Sequence, residues 1–369
     1  MKFYGTKWYL SLFILSSIFV PAYPVDAAEP DIAEHPDLIS ALHHATPQSF
    51  CGEAVPMGSE EVKERFEKEF LLSLYDRPQV ILWLKRSRRY FPYIEKMLKE
   101  NGLPDDLKYL AVAESALRPH AGSRRGAIGF WQFMQHTGRK YGLKIDRRID
   151  ERRNLFASTQ AAIRYLKKLH EEFGSWTLAA AAYNMGEAGL MAEILEQETE
   201  DYYKLYLPLE TQRFLFRILS IKLILEHPKK YGFNLTDADY YPPFKFDRVK
   251  IESKKDLPIR TVARAANTTF KVIKDLNPEI RGHYIPSGSR YILMPEGASK
   301  GFHKRLTLLL KAPSSTRNEI IYVIKRGDNL SAIADRFDVP LTSLLIWNGI
   351  NPKHPIHPGD RLLIYPRNR

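Results

Sequence analysis

The stretch LPDDLKYLAVAESALRP, residues 103–119, decides how this chain folds. Pro104 stands at a helix start, where its missing N–H is no loss, and Asp105 and Asp106 set negative charge in the first turn against the positive end of the helix dipole. Leu107, Leu110, Ala111 and Glu114 follow at i, i+3, i+4 and i+7, which is one face of an α-helix. That face is apolar apart from Glu114, so the spacing turns a carboxyl toward the core. Removal from water disfavours the ionised form, and an acid that keeps its proton near neutral pH can give it to a leaving oxygen. On spacing alone, a helix-terminal glutamate paired with one of the nearby arginines is the simpler reading.

Outward from this helix, apolar residues keep three- and four-residue spacing from Glu60 to about Gly232, as in AAIRYLKKLH with Ile163, Leu166 and Leu169. Breaks fall at Asn101-Gly102, between Gly122 and Gly129, at Tyr141-Gly142, at Gly174 and at Leu207-Pro208. Strand-type alternation is nearly absent, so this part is expected to be all-α. After Tyr231 the texture changes: YYPPF and RVKIES bring proline, aromatics and β-branched alternation. A second break, KAPSSTRN at residues 311–318, precedes another such unit. Sliding the tail by 71 positions aligns Val262-Ala263 with Ile333-Ala334, Leu276-Asn277 with Trp347-Asn348, Gly288 with Gly359 and Pro295 with Pro366. Each copy reads strand, helix, helix, turn, strand: YVIKRG, LSAIADRF, LTSLLIWNG and HPGDRLLIYP in the second.

The 369 residues exceed one usual domain, and 44% hydrophobic with 27% charged residues is ordinary globular composition. Lys2 and Lys7, an apolar run from Trp8 to Val20, Pro21, Pro24 and the small-residue sequence Val25-Asp26-Ala27 read as a secretory signal, too short to span a bilayer. An exported, periplasmic or envelope protein is expected. The only cysteine, Cys51, lies well beyond the cleavage point, so no lipid-anchoring cysteine follows the signal, and one cysteine makes no intramolecular disulfide. A net charge of +12 suits polyanions; outside the cell these are envelope carboxylates and phosphates, and no nucleic-acid motif is present. The basic runs at 85–89 and from Arg147-Arg148 to Arg152-Arg153 read as solvated helix faces.

Two more segments carry chemistry. SRRGAIG, beginning at Ser123, leads into Gly129-Phe130-Trp131-Gln132: glycine permits close backbone approach, aromatics stack on sugar faces, and an amide binds an acetamido group. Alone, this equally describes a turn with core aromatics. In AAAAYNMGEAG, Tyr183 and Asn184 follow an alanine-rich helix; a hydroxyl and an amide beside a buried carboxyl can hold it and orient substrate, or simply end a helix.

The order ES, then G-x-W-Q, then AYN resembles the soluble lytic transglycosylase and goose-type lysozyme superfamily, and the tail copies resemble LysM domains, which bind N-acetylglucosamine-containing glycans. The resemblance implies an all-α, lysozyme-like catalytic domain followed by two small βααβ modules of LysM type, the first degenerate. The expected order is a signal peptide over 1–27, a leader and helical segment over 28–95 with 28–58 as a flexible leader, the catalytic domain over 96–230, a degenerate module over 248–297, a linker over 298–319 and a LysM domain over 320–367. Residue by residue, the resemblance makes Glu114 the acid/base. It places Ser115, Ser123, Trp131, Gln132, Tyr183 and Asn184 along the substrate cleft, and Gly327, Asp328, Trp347 and Asn348 at the glycan site of the second module. Phe214 stands where the family's ET motif (Glu210-Thr211) has tyrosine, Phe130 where leucine or isoleucine is common, and the first copy lacks the turn of Gly327-Asp328.

The implied substrate is the glycan strand of peptidoglycan. In the mechanism the resemblance implies, Glu114 protonates the oxygen between N-acetylmuramic acid and N-acetylglucosamine, then takes the proton of the same muramic C6 hydroxyl, closing a 1,6-anhydro ring with no second carboxylate. Ordinary glycosidases use two; Asp150 and Glu187 are the further acids weighed for that role. The rivals are a hydrolytic muramidase of the same fold and a non-catalytic wall-binding protein. No metal, phosphate or Ser-His-Asp pattern stands out, and no cofactor is expected; His43, His44, His354 and His357 read as surface residues.

Overall fold

The computed structural model describes residues 37–47, 49–311, 320–350 and 355–366, so the expected signal segment lies outside the described residues. Among the described residues no helix is long and apolar enough to cross a membrane.

The chain enters through α1 (Leu38–His43) and a hairpin of β1 (Ser49–Phe50) and β2 (Glu53–Ala54). Its turn residues, Cys51 and Gly52, both have positive φ, 53° and 87°, the backbone that matches the twist of a two-residue hairpin. This corrects the flexible-leader expectation for its described part: Phe50 is fully buried, and Asp106 accepts the Cys51 N–H at 2.7 Å.

α2 (Glu60–Tyr75) and α3 (Arg77–Glu100) follow, with Asp76 capping α3 by accepting the Gln79 N–H. α3 runs unbroken through residues 95 and 96, so the boundary expected there cuts a helix, and the leading helices share one core with those that follow. A 3-10 turn at Asp105–Leu107 leads into α4 (Lys108–Ser115); then come α5 (Gln135–Lys140), α6 (Leu155–Phe173), α7 (Trp176–Met185), α8 (Glu187–Gln197) and α9 (Leu209–Glu226). Gly174, left-handed at φ 69°, ends α6 by returning its N–H to His170. α9 packs against α2, α4 and α7 and buries Leu215, Phe216, Ile218, Leu219 and Ile221 around most of its circumference, as a central helix must. Ala179 to Ala182 on α7 are all buried, and their small side chains let α6 and α9 approach closely.

The tail follows the expected order. β3 (Asp247–Ser253) pairs antiparallel with β6 (Gly288–Met294) from Asp247↔Met294 to Ser253↔Gly288. Between them lie a short pair, β4 (Leu257–Pro258) with β5 (Tyr284–Ile285), and the helices α10 (Ile259–Ala265) and α11 (Phe270–Leu276). α12 (Phe302–Lys311) corrects the expected linker over 298–319 for its described part, residues 298–311, the rest lying outside the described residues: Phe302 is fully buried and Leu306 nearly so in the core of this module, where α12 packs on α10. The second module has β7 (Ile320–Val323), α13 (Leu330–Arg336), α14 (Leu341–Asn348) and β8 (Arg361–Ile364), with β7 and β8 antiparallel.

The sequence repeat has a physical counterpart. The Asn277 amide donates to the Ile273 and Leu293 carbonyls and accepts the Leu293 N–H; the Asn348 amide does the same with Leu344 and Leu363. Each clamps the end of the second helix to the last strand. Asn348, expected at the glycan site, thus spends both amide donors and one acceptor position on backbone.

The first module is docked on the helical part. Ile149 and Ile280 form an antiparallel bridge, Asp150 N–H donates to the Glu279 carbonyl at 2.9 Å, Arg281 N–H donates to the Arg148 carbonyl at 2.8 Å, and Arg148 pairs with Asp256.

Candidate active site

Glu114 sits in the last turn of α4, with Leu107, Leu110 and Ala111 of its stripe fully buried. The helix then stops without a glycine. Ala116 and Leu117 both take left-handed φ, 51° and 57°, and the Ala116 N–H closes on the Val112 carbonyl. Non-glycine residues in that region cost roughly 1–2 kcal/mol each, strain of the kind found near functional groups. Glu114 itself is half-buried, and among the described residues its carboxyl has no hydrogen-bond or ion-pair partner. Burial is the main force on it and pushes its pKa up to about 8; the nearby Arg217 guanidinium opposes this, and Glu210 adds to it.

The loop after α4 is shaped by a close approach. At Gly129, φ 88°, a Cβ would meet the Arg152 carbonyl oxygen at 1.8 Å. Arg152 is buried and pairs through both ends of its guanidinium fork with Asp150, at 2.8 and 2.9 Å, while donating to the Gly126 and Phe133 carbonyls. Arg152 is thus the clamp of the loop, correcting its reading as part of a solvated face. The other basic run departs likewise: Arg86 donates to the Ala116 carbonyl, and Arg88 and Arg89 lie over Tyr240 and Tyr241.

Around Glu114 the expected residues divide. Gln132, left-handed at φ 47°, donates its amide to the Ala121 and Gly129 carbonyls, which leaves its oxygen for a ligand. Tyr183 donates to the Trp131 carbonyl at 2.7 Å; burial and the charge of Glu114 both raise its pKa, so the two side chains are neighbours. Asn184 accepts from Thr211 of α9 through its oxygen, fixing which way its amide points. Ser123 is exposed and accepts the Ala127 N–H.

Ser115 and Trp131 are turned into the protein. Ser115 is buried, its hydroxyl within reach of the Phe130 and Ala111 carbonyls, and ties α4 to the loop. Trp131 has no exposed surface and donates its indole N–H to Thr159, so it offers no ring face to a sugar. Phe130 and Phe214 are core residues as well, Phe130 meeting Tyr90 edge to face.

Neither of the further acids weighed for a second carboxylate is free. Asp150 is locked to Arg152, and Glu187 is held by Lys140 and Lys168, which keep it below the usual carboxylate range. Three carboxylates anchor distant parts of the chain, a role the sequence does not signal even for Asp106, which it marks only as a helix-start residue. Glu53 accepts from the Trp176 and Thr177 N–H groups and the Ser175 hydroxyl at the start of α7, Asp106 holds Lys222, and Glu69 holds Arg213. Their partners lie more than 100 positions away, beyond any local pattern.

In the second module, Asp328 accepts from the Tyr322 hydroxyl and the Lys325 N–H at an exposed turn opened by Gly327 at φ 88°. Trp347 is half-buried, its ring edge-on to Tyr365.

Residues 91–206 match the family described as transglycosylase SLT domain, residues 245–311 that of the LysM-like domain of lytic transglycosylase MltD, and residues 322–364 the LysM domain. The chain is 31% identical over 333 residues to membrane-bound lytic murein transglycosylase D of Escherichia coli strain K12, covering 86% of this chain and 72% of that protein. Over 104 residues it is 36% identical to peptidoglycan transglycosylase gp16 of Escherichia phage T7, covering 27% of this chain and 8% of that one. The crystal structure of the 70 kDa soluble lytic transglycosylase from Escherichia coli aligns with a TM-score of 0.35 at 16% identity, over 49% of this chain and 32% of that one. With a relative this similar along most of both chains, and an SLT domain followed by LysM-type modules, the chain belongs to the lytic murein transglycosylase family.

Proposed function

We propose that this lytic transglycosylase cuts the β-1,4 bond between N-acetylmuramic acid and N-acetylglucosamine in peptidoglycan and releases 1,6-anhydro-muramic ends, with Glu114 as its single acid/base. One observation carries the assignment: a half-buried carboxyl with no hydrogen-bond or ion-pair partner among the described residues, held protonated near neutral pH by burial. Such a group gives a proton to the bridging oxygen and, once ionised, is a base for the C6 hydroxyl of the same sugar. Its pKa near the working pH suits both steps.

The supporting cast follows from the contacts. Tyr183 holds the loop at the Trp131 carbonyl and borders Glu114, Gln132 presents its free oxygen, Asn184 is oriented by Thr211, and Ser123 lies exposed on the same loop. Ser115 and Trp131 act through packing.

A hydrolytic outcome has one observation in its favour, since Glu210 is the carboxylate that faces Glu114. Inverting and retaining hydrolases both need such a second group. Digestion of purified sacculi with mass spectrometry of the products separates the two: anhydro ends support transglycosylation, and reducing muramic ends assign Glu210 to water activation.

For the modules, we propose that the second one binds glycan through the Gly327-Asp328 turn and Trp347, while the first is a strut. The first copy's counterparts of Trp347 and Asn348 are Leu276 and Asn277. Leu276 lines a small gap against Phe130 and Tyr90, and the next residues pair with residues 148–150. That loop is covered by the chain itself. An envelope location, reached through the N-terminal signal, fits a peptidoglycan substrate.

A further inference from the structure

Glu69 belongs to no motif, yet it is 3% exposed. It lies on α2, and its carboxylate pairs with two guanidiniums from successive turns of α9: Arg213 through Nε, and Arg217 through Nε at 3.8 Å. A buried carboxylate needs such partners, but one negative charge between two positive ones leaves the cluster cationic. Both arginines are about one-third exposed, so each side chain has room to swing.

Arg217 also faces Glu114. Three charged or titratable groups act there: Arg217 favours the ionised acid, Glu210 disfavours it, and Tyr183 is neutral at working pH. α4 packs directly on α9, and the Arg217 charge already acts on Glu114, so an Arg217 released from Glu69 has that carboxyl within its field. A guanidinium paired with the acid would strip its proton.

We propose that Glu69 is a positioning residue, which holds Arg217 on the α2 side of α9 and so leaves Glu114 free to carry its proton. This rests on the assignment of Glu114 as the acid. It also gives the helices ahead of the SLT match, which begins at residue 91, a part in the chemistry.

The test is the pH profile of kcat/KM for glycan cleavage by the full chain, with thermal unfolding recorded alongside. In Glu69→Gln the basic limb moves down by about one pH unit, an about tenfold loss above the limb, while activity at acid pH is kept. Adding Arg217→Gln to that variant returns the limb to the wild-type position or above it. Arg217→Gln alone, which leaves Glu69 paired with Arg213, moves the limb up and keeps the proposal testable should Glu69→Gln not fold. A Glu69→Gln profile lowered equally at every pH, or an Arg217→Gln limb that stays put, overturns the proposal and reduces Glu69 to a tie between helices. Glu114→Gln distinguishes the two failures: if it still cuts, the acid assignment has failed, and if it is inactive while the limbs do not move, only the role of Glu69 has.

Discussion

Gly129→Ala puts a methyl where the Arg152 carbonyl oxygen stands 1.8 Å away. A carbon and a carbonyl oxygen approach no closer than about 3.3 Å even in favourable C–H···O contacts, so the two backbones must part by about 1.5 Å. Alanine at φ 88° adds about 1–2 kcal/mol of backbone strain. The larger loss is the clamp: moving Arg152 disturbs its fork on Asp150 and its bonds to Gly126 and Phe133, and disrupting a buried ion pair costs about 3–5 kcal/mol. Partial relaxation leaves about 4 kcal/mol, or about 10 °C in the melting temperature of a unit this size. Gly126→Ala is the control, because Gly126 also has positive φ, 90°, but nothing within 4 Å of its Cβ position. It should lose only the backbone term of about 1–2 kcal/mol. Thermal melts followed by circular dichroism give the comparison, and turnover in Gly129→Ala should fall about 100-fold because the loop carries Gln132. Equal melting temperatures for the two variants would refute the close approach as the reason for glycine at 129.

Other consequences follow from single contacts. Glu53→Gln weakens the anionic cap on α7 and should destabilise the helical domain by about 1–2 kcal/mol in thermal unfolding, lowering activity with it because α7 carries Tyr183 and Asn184. Glu279, buried where the first module docks, has one carboxyl oxygen without a partner, and burial pushes its pKa up to about 7. Its folded form holds a proton that the unfolded chain releases near pH 4.3, so it lowers stability progressively as pH rises from about 4.3 through 7. Glu279→Gln should therefore match wild type near pH 4 and melt higher at pH 8; an equal effect at both would contradict this. Asp328→Ala should weaken binding of the chain to chitooligosaccharides or sacculi, whereas Ile280→Ala should lower the melting temperature and leave that binding unchanged, the reverse pattern assigning the glycan site to the first module.

The helical period made much of this legible. The stripe of Leu107, Leu110, Ala111 and Glu114 lies where spacing puts it, because a packed helix has only one way to bury such a row. The breaks at Gly102, Gly142 and Gly174 are all left-handed glycines. The offset repeat was legible for the same reason, since both copies need an asparagine to tie helix to strand. What escaped was how each polar group is used. Ser115, Trp131 and Asn348 have the right chemistry for sugar, but their donors are committed to the protein itself, which residue type alone does not reveal. Arg152 hid in a charged run because only the fold shows a guanidinium facing inward. Glu53, Glu69 and Asp106 anchor partners far along the chain, and Ala116 with Leu117 turn left-handed because tertiary packing overrides their local preference.

In the proposed reaction one carboxyl, Glu114, both breaks the glycosidic bond and closes the anhydro ring. Digestion of purified sacculi by wild type and by Glu114→Gln, with mass spectrometry of the soluble muropeptides, tests it most directly. Wild type should yield 1,6-anhydro-muramic ends, with a basic limb near pH 8, and Glu114→Gln no soluble product. Reducing muramic ends from wild type, or undiminished release by Glu114→Gln, would contradict it.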